Sequence, residues 1–153
     1  MADLSGTRSI EISASAERCF AIAADLDRLP EWHGAMTGVV VLERDADGRG
    51  TLVDSEIDVT VARIRMRLRF TYDDPTGLRW TRVSGDLQSL DGSWRFEERG
   101  DSLTLATYTL EIGVGRRLAM LIRTVRGPMR ARVESLLTDR PVEGLKTRAE
   151  QTA

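Results

Sequence analysis

The sequence predicts an α+β protein in which a curved antiparallel sheet of about seven strands wraps around a long C-terminal helix. Apolar and polar residues alternate over most of the segment 36–112, as they do in strands with one buried face. Clusters of Gly, Asp and Pro interrupt this pattern at short intervals, which favours antiparallel hairpins. From Arg117 onward the apolar period becomes helical. A helix of that length is the only large element able to cover the sheet.

Length and composition indicate one globular domain. The chain has 153 residues, of which 41% are hydrophobic and 30% are charged. We expect a single domain over residues 1–153, with its core at about 7–150. The net charge of −2, from 22 basic and 24 acidic residues, lacks the basic surface of a general nucleic-acid binder, so we expect no nucleic-acid partner.

Residue counts exclude several kinds of site. Cys19 is the only cysteine and His33 the only histidine, which excludes thiolate clusters, two-histidine metal sites and paired-cysteine redox motifs. We therefore expect neither a metal nor a cofactor. Residues Met1 to Ser9 do not resemble a secretory signal, and no run reaches 18 apolar residues. The prediction is a cytoplasmic protein without an integral membrane segment.

The N-terminal part predicts a strand followed by two short helices. Ile10 and Ile12 alternate with polar residues, as in a strand. Ser13 or Ser15 is placed to cap the next element, a helix whose apolar side carries Cys19, Phe20, Ile22, Ala23 and Leu26. Pro30 ends regular helix, so Leu29 to Gly34 is predicted as a turn or a broken helix.

Six further strands are predicted between residues 36 and 112. They cover Val39–Leu42, residues 51–58, residues 64–72, Leu78–Ser84, Leu90–Glu97 and Leu103–Ile112. Residues 51–74 are too long for one strand, so a turn is predicted near Val59 to Arg63. In the last strand the apolar residues change parity, and a bulge near Ala106 and Thr107 would restore a single inner face.

One of these strands has two very different faces. Even positions from Ile64 to Tyr72 are apolar, whereas Arg63, Arg65, Arg67 and Arg69 form an opposite stripe. An anion-binding surface is one interpretation of the stripe. We favour pairing with Asp54, Glu56 and Asp58 on the preceding strand, because opposite charges on adjacent strands stabilise the ladder.

The C-terminal helix is amphipathic. Its apolar side carries Leu118, Ile122, Val125, Met129, Val133, Leu136, Leu137 and Leu145. Gly127 with Pro128, and later Pro141, are predicted to break or bend it.

Three segments carry a family resemblance. They are SIEISASAERCFAIAADLDRLPEWHGAM (Ser9 to Met36), WTRVSGDLQSLDGSW (Trp80 to Trp94) and VEGLKTRAE (Val142 to Glu150). The chain resembles the START-like, birch-pollen-allergen-like superfamily (SRPBCC), in its polyketide cyclase/dehydrase and lipid transport branch. The resemblance covers nearly the whole chain and implies the helix-grip fold. It also implies a cavity between the sheet and the last helix, which relatives use for lipids, sterols, hormones, polyketides or quinones.

We expect inward-facing residues to line such a cavity and bind a small hydrophobic molecule. The predicted ligand-binding residues are Trp32, Met36, Met66, Phe70, Tyr72, Trp80, Arg82, Trp94, Tyr108, Ile122 and Met129. Packing in an ordinary core explains the aromatic members equally well, although buried Trp and Tyr need partners for their polar atoms. Arg82 shares parity with Trp80, and an inward arginine would be a ligand anchor, because an unpaired buried charge is costly.

No residue is assigned a catalytic role. His33 lies where a helix passes into a strand and is either a polar ligand contact or acid/base group, or a solvent-exposed loop residue, and we favour exposure. Cys19 is interpreted as a core residue. The function expected is binding of a lipid, polyketide or similar molecule. The alternatives are an aromatic polyketide cyclase/dehydratase and a lipid or quinone carrier that docks through its C-terminal helix.

Overall fold

The computed structural model describes residues 4–60, 62–116, 120 and 128–151. Within them, seven antiparallel strands form one sheet in the order β1-β7-β6-β5-β4-β3-β2. The strands are β1 (Leu4–Ile12), β2 (Met36–Arg44), β3 (Gly50–Asp58), β4 (Arg63–Asp73), β5 (Gly77–Gly85), β6 (Ser89–Gly100) and β7 (Leu103–Gly113). The helices are α1 (Ala16–Ala24), a 3₁₀ helix (Leu26–Glu31) and α2 (Pro128–Glu150). The predicted α+β helix-grip architecture is confirmed.

The predicted N-terminal helices are both present. The Ser15 hydroxyl caps α1 by accepting a hydrogen bond from the Arg18 amide at 3.1 Å. Helix α1 buries Cys19 and Phe20 against the sheet. Burial raises the pKa of the Cys19 thiol to about 11, so this side chain is a neutral core residue, as predicted.

The charged stripe on β4 is paired as the sequence indicates. Strand β3 ends at Asp58 and β4 begins at Arg63, which confirms the predicted turn. Arg67 contacts Asp54 at 2.7 Å, Arg65 contacts Glu56 at 3.0 Å, and Arg63 lies 4.0 Å from Asp58. Hydrogen bonds from Arg67 and Arg65 lower the pKa of the Asp54 and Glu56 carboxyls. The stripe is therefore a solvated outer face of the sheet.

The bulge predicted in β7 is wrong. The ladder with β1 runs without a register shift from Thr104 to Ile112, so one parity faces inward throughout. Thr104 and Ala106 continue the inner face, and Leu103 and Leu105 lie on the outer one. The Thr104 side chain is buried because its hydroxyl donates to the Ala14 carbonyl at 2.7 Å. The apolar Leu103 and Leu105 suggest an inner face at odd positions, but the inner position belongs to the polar Thr104, whose partner lies in a distant segment.

Helix α2 continues through Pro141, so the residue does not break the helix, and of the predicted break or bend the break is wrong. The Pro141 ring is fully buried, and packing of its neighbours Val142 and Leu145 against the core holds the turn that lacks one backbone hydrogen bond. Gly127 and the apolar residues Leu118, Ile122 and Val125 lie outside the described residues. No helix in the described part of the chain is long and apolar enough to cross a membrane.

Candidate ligand-binding cavity

A cavity of about 70 Å³ lies inside the core, between the concave face of the sheet and the helical layer. Its wall combines six strands (β2 to β7), α1, the end of the 3₁₀ helix and one residue of α2. The described lining residues are Ala23, Leu29, Trp32, His33, Met36, Ser55, Ile57, Met66, Leu68, Phe70, Leu78, Trp80, Leu90, Trp94, Tyr108, Leu110, Ile112 and Leu137. Those on strands share the inward parity of their strand, so the alternation of the sequence builds the wall directly.

Aromatic rings from four neighbouring strands form one wall of the cavity. The Phe70 and Trp80 rings are stacked with centroids 5.6 Å apart. Tyr108 connects this pair to the next strand, with ring centroids 5.8 Å from Trp80 and 4.7 Å from Trp94. Gly92 faces Trp80 across the β5–β6 ladder, and a side chain at Gly92 would occupy the space of the indole. The glycine therefore lets Trp80 lie flat against the sheet.

The described lining contains no Asp, Glu, Lys or Arg. Burial raises the pKa of the Tyr108 phenol, which is therefore neutral at physiological pH. An ion entering this space would lose its hydration without meeting an opposite charge on the described wall. The cavity thus favours neutral, largely apolar molecules.

Trp32 and His33 line the cavity at the end of the 3₁₀ helix. Both backbone amides donate to the Leu29 carbonyl, at 3.2 and 2.9 Å, which fixes this corner. Gly34 then reverses the chain with φ of +91°, a conformation that side chains rarely adopt. The Trp32 Nε1 and the His33 Nδ1 are buried and have no hydrogen-bond partner among the described residues.

The expectation of a solvent-exposed His33 is wrong. Part of the residue remains accessible, but its imidazole lines the cavity and its Nδ1 is buried. Burial lowers the pKa of His33 to about 4, because the charged ring loses hydration without gaining a partner. The imidazole is therefore neutral near pH 7. Sequence reasoning missed this placement, because the broken helix before it turns the side chain inward.

Tyr72 is not among the lining residues, contrary to prediction. Its hydroxyl donates to the Gly50 carbonyl at 2.5 Å, which turns the phenol toward the start of β3. Its ring lies beside Phe20 and 5.6 Å from the Arg49 guanidinium carbon. Burial raises the pKa of Tyr72, which stays a neutral donor in this structural role.

Arg82 is also absent from the lining, so its predicted role as an inward ligand anchor is not supported. Its Nε donates to the Leu87 carbonyl at 2.6 Å, and a second nitrogen contacts the Gly85 carbonyl at 3.3 Å. A register shift in the β4–β5 ladder lies next to Arg82. The guanidinium therefore binds the loop that follows β5, which satisfies its charge away from the cavity.

The structure brings together seven of the eleven predicted ligand residues. Those that line the cavity are Trp32, Met36, Met66, Phe70, Trp80, Trp94 and Tyr108. Ile122 and the side chain of Met129 lie outside the described residues. Among the lining residues that the prediction omitted are Leu90, Leu110 and Ile112, although their inward parity on β6 and β7 was available as a signal.

One family model matches nearly the whole chain. The family described as polyketide cyclase/dehydrase and lipid transport matches residues 3–150. The comparison with curated proteins gives no match.

Solved structures of similar shape come from several bacteria. A START superfamily protein from Mycobacterium smegmatis is 21% identical, with a TM-score of 0.78 over 96% of this chain and 97% of that one. The protein TTHA0849 from Thermus thermophilus is 23% identical, with a TM-score of 0.73 over 95% and 97% of the two chains. The ZhuI aromatase/cyclase from Streptomyces sp. R1128 is 15% identical, with a TM-score of 0.75 over 96% and 93%. Identities this low establish the shared fold only.

Proposed function

The chain belongs to the polyketide cyclase/dehydrase and lipid transport family, and we propose that it binds a small hydrophobic molecule in the cavity between the sheet and the C-terminal helix. Members of the START-like superfamily share this architecture with different uses, so the proposal depends on the site rather than on the fold. The observation that carries it is the neutral, largely apolar space inside the core.

An unfilled core is energetically unfavourable, which supports binding over simple packing. At about 24 cal/mol per Å³, a cavity of about 70 Å³ costs on the order of 2 kcal/mol of stability. The unpartnered Trp32 Nε1 and His33 Nδ1 add the cost of buried polar atoms. A sequence selected for stability alone would remove these features by larger or apolar side chains. A bound molecule offsets both costs.

The size of the cavity limits the ligand. Pockets for drug-sized molecules usually measure about 300–1,000 Å³. A space of about 70 Å³ holds a few non-hydrogen atoms, so a ring system requires lining side chains to move. The long, unbranched side chains of Met36 and Met66 are suited to such movement, because methionine changes rotamer easily. A compact ring is therefore favoured over an extended fused polyketide.

A polyketide cyclase/dehydratase is the second candidate, and His33 is the observation in its favour. A buried neutral imidazole beside the cavity can accept a proton during an aldol reaction. A pKa of about 4 makes it a weak base near neutrality, which reduces this contribution. The similar aromatase/cyclase structure supports the candidate only through its fold. Binding without catalysis remains the better-supported proposal.

The carrier alternative needs an exposed apolar stripe on the C-terminal helix. In the described part of α2, Leu137 is buried and Val133 packs against the core. That part of the stripe faces inward, so docking through α2 is less favoured. We propose a cytoplasmic binding protein without a nucleic-acid partner, as the charge and the single reduced Cys19 indicate.

Intrinsic fluorescence tests the proposal directly, because all three tryptophans line the cavity. A compact neutral aromatic probe such as nitrobenzene is expected to quench this emission saturably, with one site per chain. Ala23→Leu places a larger side chain against the cavity and should abolish saturable quenching. Ala21→Leu, on the exposed side of the same helix, should not. Unsaturable quenching, or equal binding by both variants, would contradict the proposal.

A further inference from the structure

Two neighbouring residues of the cavity lining each carry a buried polar atom without a partner among the described residues. The Trp32 and His33 rings are neighbours, with centroids 6.1 Å apart and planes tilted by 40°. The Trp32 Nε1 and the His33 Nδ1 are buried, and neither has a partner among the described residues. Both residues line the cavity, whose described wall is otherwise largely apolar.

The chemistry of these atoms defines a complementary group. An indole Nε1–H can only donate a hydrogen bond, so it requires an acceptor on the ligand. A neutral imidazole nitrogen either donates or accepts, according to its tautomer. His33 is neutral near pH 7 because burial holds its pKa at about 4. A hydroxyl satisfies both atoms at once, since its oxygen accepts from Trp32 while its proton is donated to His33.

The other described residues of the cavity lining favour a neutral hydroxyl over a charged group on the ligand. A carboxylate or phosphate could accept from Trp32, but no described lining residue carries a positive charge to replace its hydration. A neutral hydroxyl needs only the two hydrogen bonds. A hydrocarbon would fill the cavity but leave both nitrogens unpaired, which sacrifices the free energy of those bonds.

We propose that Trp32 and His33 form a hydroxyl-recognition pair, which makes a neutral phenol or alcohol the preferred ligand and excludes fatty-acid anions. This assignment rests on the proposed ligand-binding function and specifies its substrate class. In the absence of ligand one water can bridge the two nitrogens, and a ligand hydroxyl that replaces the water reproduces its bonds.

Three ligands of similar size test the pair: phenol, toluene and benzoate. Their dissociation constants are measured near pH 7.5 from the indole ¹H–¹⁵N signals of the wild-type protein. An unpaired hydroxyl moved into an apolar site weakens binding by about five- to a hundredfold. We expect phenol to bind at least as tightly as toluene, with a downfield shift of the Trp32 indole proton, and benzoate to bind at least tenfold more weakly than phenol.

The possible outcomes distinguish a failure of the hydroxyl-recognition pair from a failure of the proposed ligand binding. Toluene binding fivefold or more tightly than phenol would overturn the pair while leaving the hydrophobic cavity intact, and tight benzoate binding would do the same. Binding of none of the three, together with no saturable quenching by nitrobenzene, would overturn the proposed function and the pair with it.

Substitutions of Trp32 and His33 test whether their two unpaired nitrogens cause the preference for phenol over toluene. Trp32→Phe and His33→Phe each remove one polar atom and retain a ring, so each should weaken phenol relative to toluene by about two- to tenfold. Trp80→Phe is the matched control, because it makes the same change in the aromatic wall without touching either unpaired atom. If Trp32→Phe does not fold, His33→Phe alone decides. An unchanged phenol-to-toluene ratio in the folded variants would refute the pair.

Discussion

Gly144 in α2 packs against the backbone carbonyl of Trp32 with no space for a side chain between them. A Cβ atom at position 144 would overlap that carbonyl oxygen. The glycine therefore allows α2 to approach the end of the 3₁₀ helix, where Trp32 and His33 line the cavity. A glycine inside a helix normally reduces stability, so here close packing outweighs helix propensity.

The contact between Gly144 and the Trp32 carbonyl predicts whether a substitution at Gly144 stabilises or destabilises the protein. Gly144→Ala should destabilise the protein by about 2 kcal/mol or more, because the backbone must shift to accept the methyl group. The gain of about 1 kcal/mol expected from helix propensity alone has the opposite sign. Urea denaturation measures the difference. Gly100→Ala is the control, since a Cβ there meets nothing within 4 Å. A stabilised Gly144→Ala variant would show that the contact is not tight in solution.

Most strands of the sheet can be predicted from the sequence, because the alternation of apolar residues and the residues typical of turns are signals contained in short segments. Strand β4 and its paired arginines follow directly from alternation. Thr104 was misplaced because its buried hydroxyl depends on the Ala14 carbonyl, a contact between distant segments. The directions of the Arg82 and His33 side chains could not be predicted for a different reason: a register shift and a broken helix set them, and neither irregularity has a periodic signature in the sequence.

The Thr104 contact yields a second prediction. Thr104→Val keeps the shape of the side chain but leaves the buried Ala14 carbonyl without its donor. An unsatisfied buried acceptor costs about 1–3 kcal/mol, so the midpoint of urea unfolding should fall accordingly. Thr109→Val, at a partly buried outer position of β7, should change it by less than about 0.5 kcal/mol. Equal effects at the two sites would contradict this account.

His33 predicts how stability depends on pH. Its pKa is about 4 in the folded protein, against about 6.5 for an unperturbed imidazole. The unfolded chain therefore binds more protons between these values, and stability is lost as the pH falls from about 6.5 toward 4. Between about pH 7 and 5.5 the loss from this residue should be on the order of 1 kcal/mol. His33→Phe should lose correspondingly less over the same range.

An NMR titration of His33 tests whether burial lowers the pKa of its imidazole. His33 is the only histidine, so its ring carbon-bound protons give isolated NMR signals. Their midpoint should lie well below 6.5 in the folded protein, since burial lowers the pKa to about 4. A midpoint near the unperturbed value would show that bulk solvent hydrates the imidazole and that the ring is charged in part near neutrality.

The contact between Trp80 and Gly92 makes the last prediction. A methyl group at position 92 would occupy the space of the indole, so Gly92→Ala should displace Trp80 from the aromatic wall while β6 remains paired. We expect a red-shifted tryptophan emission and weaker binding of a neutral aromatic probe, because the displaced indole gains contact with water and narrows the cavity. Gly38→Ala, where a Cβ meets nothing within 4 Å, should change neither property.

A double-mutant cycle attributes the effect of Gly92→Ala to this one contact. In a Trp80→Leu background the methyl group has less side chain to displace, so Gly92→Ala should cost less stability than in the wild type. Residues in direct contact show coupling energies of about 0.5–3 kcal/mol, and the cycle should fall in this range. Additive effects within about 0.3 kcal/mol would mean that Trp80 does not rest on Gly92 in solution. The indole would then be held by its ring contacts with Phe70 and Tyr108 rather than by the backbone of β6.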